Sequence, residues 1–239
     1  MNIQLFVPCF VDQLYPQTAF NMVKLLEKLG CDVQYNAKQT CCGQPAFNAG
    51  FWNDSKDVCT KFIEDFSGSD YIVTPSASCT GFVRNYYPKL FDNSSFHNDV
   101  KALQGRMFEL SEFLVKVLNI DNVGASFSAK ATYHDSCAGL RECKIKQEPR
   151  RLLAKVKGLQ LVEMNDVETC CGFGGTFAVK FEPISIAMAD QKANNALETG
   201  ADYIISTDIS CLMHIDGYIK KKGLPLKTMH LADVLVEGW

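Results

Sequence analysis

Short apolar runs and helically spaced apolar residues take turns along this chain, and the whole succession occurs twice. Ile3 to Val7 is a β-rich run that ends at Pro8-Cys9. From Pro16 to Leu29, the residues Ala19, Phe20, Val23, Leu26 and Leu29 recur at helical spacing, which predicts an amphipathic helix stopped by Gly30. Asp32 to Tyr35 predicts a second strand. Asn53 to Phe66 predicts a helix with Val58, Phe62 and Phe66 on one face, and Tyr71 to Thr74 predicts a third strand, with Cys79 opening another short helix. The later half repeats this order. It predicts strands at Ala131 to His134, Leu159 to Met164 and Tyr203 to Ser206, and helices at Pro149 to Val156 and Ile184 to Glu198. Leu226 to Met229 adds a further strand, and Leu231 to Val236 a closing helix.

The two halves also match residue by residue. Gly68 to Cys79 aligns with Gly200 to Cys211, and six of these twelve positions are identical. A repeat of this length is too long for a solenoid and indicates duplication of a domain-sized unit. Between the units, Asp92-Asn93-Ser94-Ser95 signals a loop, and Met107 to Leu118 has the spacing of an amphipathic helix. The predicted organisation is a first repeat over 1–92, a helical connector over 93–128 that packs across the two halves, and a second repeat over 129–239. Strands alternating with helices place the chain in the α/β class, as two duplicated parallel βαβ-type units.

Cysteine placement changes the picture from architecture to chemistry. Thr40-Cys41-Cys42-Gly43 returns as Thr169-Cys170-Cys171-Gly172, and each doublet is flanked by two single cysteines. In the first unit 31 residues separate Cys9 from Cys41, and 36 separate Cys42 from Cys79. In the second unit 32 separate Cys137 from Cys170, and 39 separate Cys171 from Cys211. Each set falls just past the carboxyl ends of its predicted strands, where open α/β sheets place ligands. Two sets of four thiols on one plan point to two soft-metal sites. A glycine after each doublet permits a sharp turn, and a following helix would lend backbone N–H groups and a positive dipole end to the sulfurs. Four thiolates suit either zinc or an iron–sulfur cluster. Ligands drawn from three separated loops, and a doublet that reaches one compact ion only with strain, favour one or two iron–sulfur clusters, with zinc at one site as the alternative.

Composition narrows the setting. A net charge of −3 gives no footprint for nucleic acid, no apolar run is long enough for a membrane span, and the opening residues lack the features of a signal peptide. A cytoplasmic location is therefore expected, where eleven cysteines argue for metal ligation over a disulfide framework.

The doubled pattern of cysteine, long gap, Cys-Cys-Gly, long gap and cysteine resembles the cysteine-rich CCG domain family. Val7-Pro8-Cys9, His134-Asp135-Ser136-Cys137, Glu148-Pro149-Arg150-Arg151-Leu152-Leu153 and Gly200-Ala201-Asp202 support the resemblance. The small two-repeat size is most similar to members that serve lactate oxidation. What this implies is an electron-transfer subunit of a complex oxidising L-lactate or a similar 2-hydroxy acid to pyruvate. It would bind clusters of the 4Fe–4S type through Cys9, Cys41, Cys42, Cys79, Cys137, Cys170, Cys171 and Cys211. Its implied partners are a ferredoxin-like iron–sulfur subunit and a third subunit, and the chain is not expected to oxidise lactate alone. In heterodisulfide reductase, a related member, the motif ends in a Cys-x-x-Cys pair; here Ser76 and Asp208 stand at the first position of that pair. That departure weakens a third reading, thiol–disulfide reduction, which stays open beside a zinc-stabilised scaffold.

Other polar residues carry weaker signals. His134 and Asp135 stand beside Cys137 and are candidates for orienting a cluster or relaying a proton, or form a structural pair. Arg141 is a candidate for balancing cluster charge or docking a carboxylate, or is a solvated loop residue. Cys31 and Cys59 are expected in the core, and Cys143 in place of an apolar residue. His214, one helical turn past Cys211, is expected beside the site or on the surface. Gly172-Phe173-Gly174-Gly175 does not continue into a dinucleotide fingerprint.

Overall fold

The computed structural model describes residues 1–239. The first unit runs β1 (Asn2–Leu5), α1 (Cys9–Leu14), α2 (Pro16–Lys28), β2 (Asp32–Tyr35), α3 (Gln44–Ala49), α4 (Trp52–Asp65), β3 (Tyr71–Thr74), α5 (Ala77–Asn85), α6 (Tyr87–Leu90), α7 (His97–Arg106), β4 (Met107–Glu109) and α8 (Leu110–Glu112), which continues as a π-helical turn over Phe113–Val117. The second runs β5 (Ser126–Tyr133), a π-helical turn (Ala138–Glu142), α9 (Gln147–Leu153), β6 (Lys157–Leu161), α10 (Thr176–Lys180), α11 (Glu182–Glu198), β7 (Tyr203–Ser206), α12 (Ile209–Lys222), β8 (Lys227–His230) and α13 (Leu231–Val234).

Each unit holds one four-stranded, all-parallel sheet, in the orders β2-β1-β3-β4 and β6-β5-β7-β8. The α/β class and the duplication are thus as expected. β3 (Tyr-Ile-Val-Thr) and β7 (Tyr-Ile-Ile-Ser) are β-rich runs with three buried residues each, as strands covered on both faces should be. Registers agree between units: Leu5 faces Val73 as Tyr133 faces Ile205.

The expected helix over Met107–Leu118 begins later than its periodicity implies. Met107–Glu109 pairs with Ile72–Thr74 as the edge strand of the first sheet, and only then does the chain turn helical. Glu109 is buried, and its carboxyl Oε2 accepts from the N–H groups of Ser111 and Glu112, capping α8. His230, at the matching register of the second sheet, is also buried, and its Nδ1 accepts from Ala232 N–H to cap α13. One apolar core runs unbroken from Ile3, Leu5 and Leu25 in the first unit to Ile204, Ile205 and Leu235 in the second. A separate aromatic cluster lies within the first unit, around Phe6, Phe62, Phe66 and Tyr87.

The units meet around an approximate two-fold axis. Ser76 and Asp208, corresponding positions, form an isolated antiparallel bridge. The helix that opens at Cys9 (α1) packs on α12, which carries Cys211. In the same way α5, which carries Cys79, packs on the π-helical turn that follows Cys137.

Candidate metal centre

Each sheet delivers two single cysteines from adjacent strand ends, β1 and β3 in one unit and β5 and β7 in the other, and a loop brings the doublet between them. In the first unit the thiols form a string. Cys9 Sγ lies 3.9 Å from Cys41 Sγ, and Cys42 Sγ lies 3.4 Å from Cys79 Sγ; Cys41 and Cys42, adjacent in the chain, join the two pairs. The second unit repeats the order: Cys137 and Cys170 are close enough to shift each other's ionisation, Cys170 and Cys171 are adjacent in the chain, and the Cys171 and Cys211 sulfurs lie within 4.8 Å of each other. All eleven cysteines are free.

The leading thiol of each doublet is the acidic one. The neighbouring Cys42 and the thiol of Cys9, which donates to Cys41, hold Cys41 well below the ordinary thiol range, helped by the Gly43 N–H at 3.4 Å. Cys137 and Cys171 likewise hold Cys170 below the ordinary thiol range, helped by the Gly172 N–H at 3.4 Å. Cys42 and Cys171 are buried and pushed the other way, chiefly by hydrogen bonding to the acidic neighbour. Each string therefore presents one ready thiolate and gathers further thiols that ionise when a cation arrives. Cys9, Cys41, Cys137 and Cys170 remain partly exposed, and Cys9 and Cys41 line a surface hollow of about 170 Å³.

The turn after each doublet has no room for a side chain. Gly43 and Gly172 both adopt φ of 91°. A Cβ on Gly172 would lie 2.7 Å from the Ser185 carbonyl oxygen, and one on Gly43 would lie 2.8 Å from Cys59 Sγ. Ser55 and Ser185, on the first turns of α4 and α11, lock these turns by donating to the carbonyls of Gly43 (3.0 Å) and Gly172 (2.8 Å). Tyr87 donates to the Cys42 carbonyl at 2.7 Å. Neither serine stands out in a single repeat; their spacing after the doublets is visible once the repeats are aligned. Only the first doublet passes directly into a helix. In the second, Phe173-Gly174-Gly175 forms an extra turn before α10, and Phe173 packs edge-on against Phe10 of the first unit, centroids 5.7 Å apart.

The oxygens of Ser76 and Asp208 are already engaged. Ser76 Oγ accepts from Cys79 N–H, capping α5. Asp208 uses Oδ1 to cap α12 at Ser210 N–H and extends Oδ2 to the Ser78 N–H of α5 at 2.7 Å. These residues aim the cysteine-bearing helices.

Among the weaker candidates, Asp135 is buried in a two-point ion pair with Arg150, at 2.9 and 2.8 Å. Arg141 is exposed on the π-helical turn after Cys137. His214 contacts Ser185 Oγ at 3.1 Å. Cys31, Cys59 and Cys143 are buried, Cys59 directly behind Gly43 and Cys143 against the Ala77 carbonyl. His134 is wholly buried, and its ring lies with Cys171 and Cys211 in a group whose donor atoms are within 4.8 Å of one another. Neither ring nitrogen has a hydrogen-bond partner. Lys192, absent from any sequence expectation, is buried next to this group, and its Nζ donates to the carbonyls of Asp166 and Val167 ahead of the doublet. Thiols converging in strings, an acidic thiol in each, and turns closed to side chains fit a thiolate-bound metal group in both units.

Comparison with known proteins agrees with this geometry. The profile of the cysteine-rich domain, CCG, matches residues 3–84 and again 131–216. The chain is similar to lactate utilization protein A of Halalkalibacterium halodurans, 48% identical over 98% of this chain and 96% of that one. It is also 46% identical to the protein of that name from an Exiguobacterium species, over 99% and 98% of the two chains. With that of Bacillus subtilis it shares 44% identity over 98% and 99%. Among solved structures, a hypothetical protein from Helicobacter pylori shares the fold, with a TM-score of 0.64 and 13% identity, over 98% of this chain and 48% of that one. With both units matched by the CCG profile and near full-length relatives above 40% identity, the chain belongs to the cysteine-rich CCG domain family and, within it, to the lactate utilization protein A group.

Proposed function

We propose that this chain is a cytoplasmic redox subunit of a lactate-utilising system, holding an iron–sulfur cluster of the 4Fe–4S type in one or both thiol strings. The observation that carries this reading is the pair of matched four-thiol strings, one at the strand ends of each sheet and each with partly exposed sulfurs. The names of the relatives supply the lactate connection. Bound there, a cluster would supply one-electron chemistry. The chain's own residues would hold it: Cys9, Cys41, Cys42 and Cys79 in one unit, Cys137, Cys170, Cys171 and Cys211 in the other. Backbone N–H groups from Gly43, Gly172 and Phe173 donate to the doublet sulfurs, and such bonds tune a cluster's potential. A ferredoxin-like iron–sulfur subunit and a third subunit complete the proposed pathway, in which L-lactate becomes pyruvate. The engagement of Ser76 and Asp208 in helix capping argues against thiol–disulfide reduction.

One observation favours a second reading. Two of the six sulfur separations in the first unit, 3.4 and 3.9 Å, come near the edge of a tetrahedron around a single ion, about 3.8 Å at a zinc–sulfur distance of about 2.3 Å. Anaerobic purification followed by iron, acid-labile sulfide and zinc analysis separates the two. Iron and sulfide are expected in equal amounts, with Cys42→Ser and Cys171→Ser each removing a distinct signal. Stoichiometric zinc without sulfide would leave the scaffold reading in place of the redox one.

A further inference from the structure

The two strings match in sulfur but not in what lies behind them. Phe6 and His134 occupy the same place. Each stands three residues ahead of its first cysteine, and each backbone N–H donates to the corresponding carbonyl of the neighbouring strand, Phe6 to Val73 at 3.0 Å and His134 to Ile205 at 2.8 Å. Phe62 and Lys192 correspond as well, both seven residues after the serine that locks the doublet turn. In the first unit Phe6 and Phe62 close the space with an edge-to-face contact, centroids 4.9 Å apart. In the second unit imidazole and ammonium replace both rings, and both are buried.

Lys192 has its carbonyl partners, but His134 has none for either nitrogen. A buried polar group without a partner costs about 1–3 kcal/mol, and native interiors seldom leave one so. His134 instead has two buried thiols, Cys171 and Cys211, gathered with it inside 4.8 Å. That is a metal-ligating cluster of three buried side chains, and the first unit cannot form it because Phe6 offers no lone pair.

We propose that His134 is a nitrogen ligand of the second centre, which is therefore a mixed thiolate–imidazole site, while the first is thiolate only. The inference rests on the reading that both strings hold metal, and it applies to iron and zinc alike. It makes the duplicated centres chemically unequal, because imidazole ligation raises the potential of an iron–sulfur centre.

Metal-edge X-ray absorption on the full chain tests this without reference to activity. In a C41A/C42A protein, which keeps only the second string, a nitrogen shell at about 2.0–2.1 Å is expected beside sulfur at about 2.3 Å. Adding H134F, which installs the ring the first unit already accommodates at Phe6, should remove that shell. A sulfur-only shell in C41A/C42A, or a nitrogen shell that survives H134F, would overturn the proposal while leaving the metal centres intact. If C41A/C42A does not fold, the wild-type chain gives the same answer averaged over two centres, and sulfur-only scattering there overturns the ligand assignment. A wild-type chain that binds no metal under anaerobic reconstitution would overturn the metal reading itself, and this inference with it.

Discussion

Two glycines decide whether the doublets can exist in their present shape. At φ of 91° Gly172 occupies the left-handed region, and its missing Cβ leaves the Ser185 carbonyl in place. Gly172→Ala should cost about 3 kcal/mol, from the left-handed backbone together with overpacking against a carbonyl that cannot move alone. Thermal denaturation measures the cost, and metal content of the variant should fall at the second centre only. A chain of wild-type stability and full metal content would show that the turn tolerates a side chain after all. The need for glycine was legible in the sequence, because Cys-Cys-Gly recurs at the same place in each repeat. The divergence of Phe6 from His134 was legible as a mismatch between aligned repeats. Its meaning was not, because Phe62 and Lys192 lie far away in sequence and only the packing of α4 and α11 brings them behind the sulfurs.

Helix caps carry much of the construction between residue and sheet. Asp208 serves two helices at once, so Asp208→Ala should remove two caps and cost about 1–3 kcal/mol, at about 1 kcal/mol per cap. That corresponds to a fall in Tm on the order of 2–4 °C for each kcal/mol in a chain of this size, whereas Ser76→Ala removes one cap and should fall by about half as much. Glu109 adds a pH dependence. Burial pushes its carboxyl up to about 8, above the unfolded value of about 4.3, so the folded state binds a proton that the unfolded state has lost. Its contribution is fully present below the unfolded pKa and is lost as pH rises through about 8. Glu109→Gln keeps a cap acceptor without the titration, and should flatten the decline of Tm between pH 5 and 8 relative to the wild-type chain. At this scale, β1, β2, β3 and β7 and the helices α2, α4 and α11 were readable from the sequence pattern, whereas α7 and α12 were not predicted. β4 was not, because Met107 and Phe108 continue the spacing of the helix that follows, and pairing with β3 overrides that local preference. α1 was missed because six residues ahead of a proline are too few to show a period.

At the scale of the whole molecule, the unbroken core from Ile3 to Leu235 means neither sheet closes its own apolar surface. The chain should therefore unfold in one denaturant transition, with fluorescence and far-UV circular dichroism coincident; two resolved transitions would show that the units are independent. The duplicated plan itself was visible in the cysteine spacing. The way α1 meets α12, and α5 meets the turn after Cys137, was not, since no local pattern encodes which helix faces cross the axis. The bridge between Ser76 and Asp208 has a consequence for how such a protein arises. Two identical chains related by a true two-fold axis would set the same residue against itself at that point. Two serines would forgo the second cap, and two aspartates would oppose like charges in a buried contact. Joining the copies into one polypeptide lets one side supply the carboxylate and the other accept it. The same freedom lets one copy carry a phenylalanine where the other carries a histidine, so in a single polypeptide the twin sites can differ.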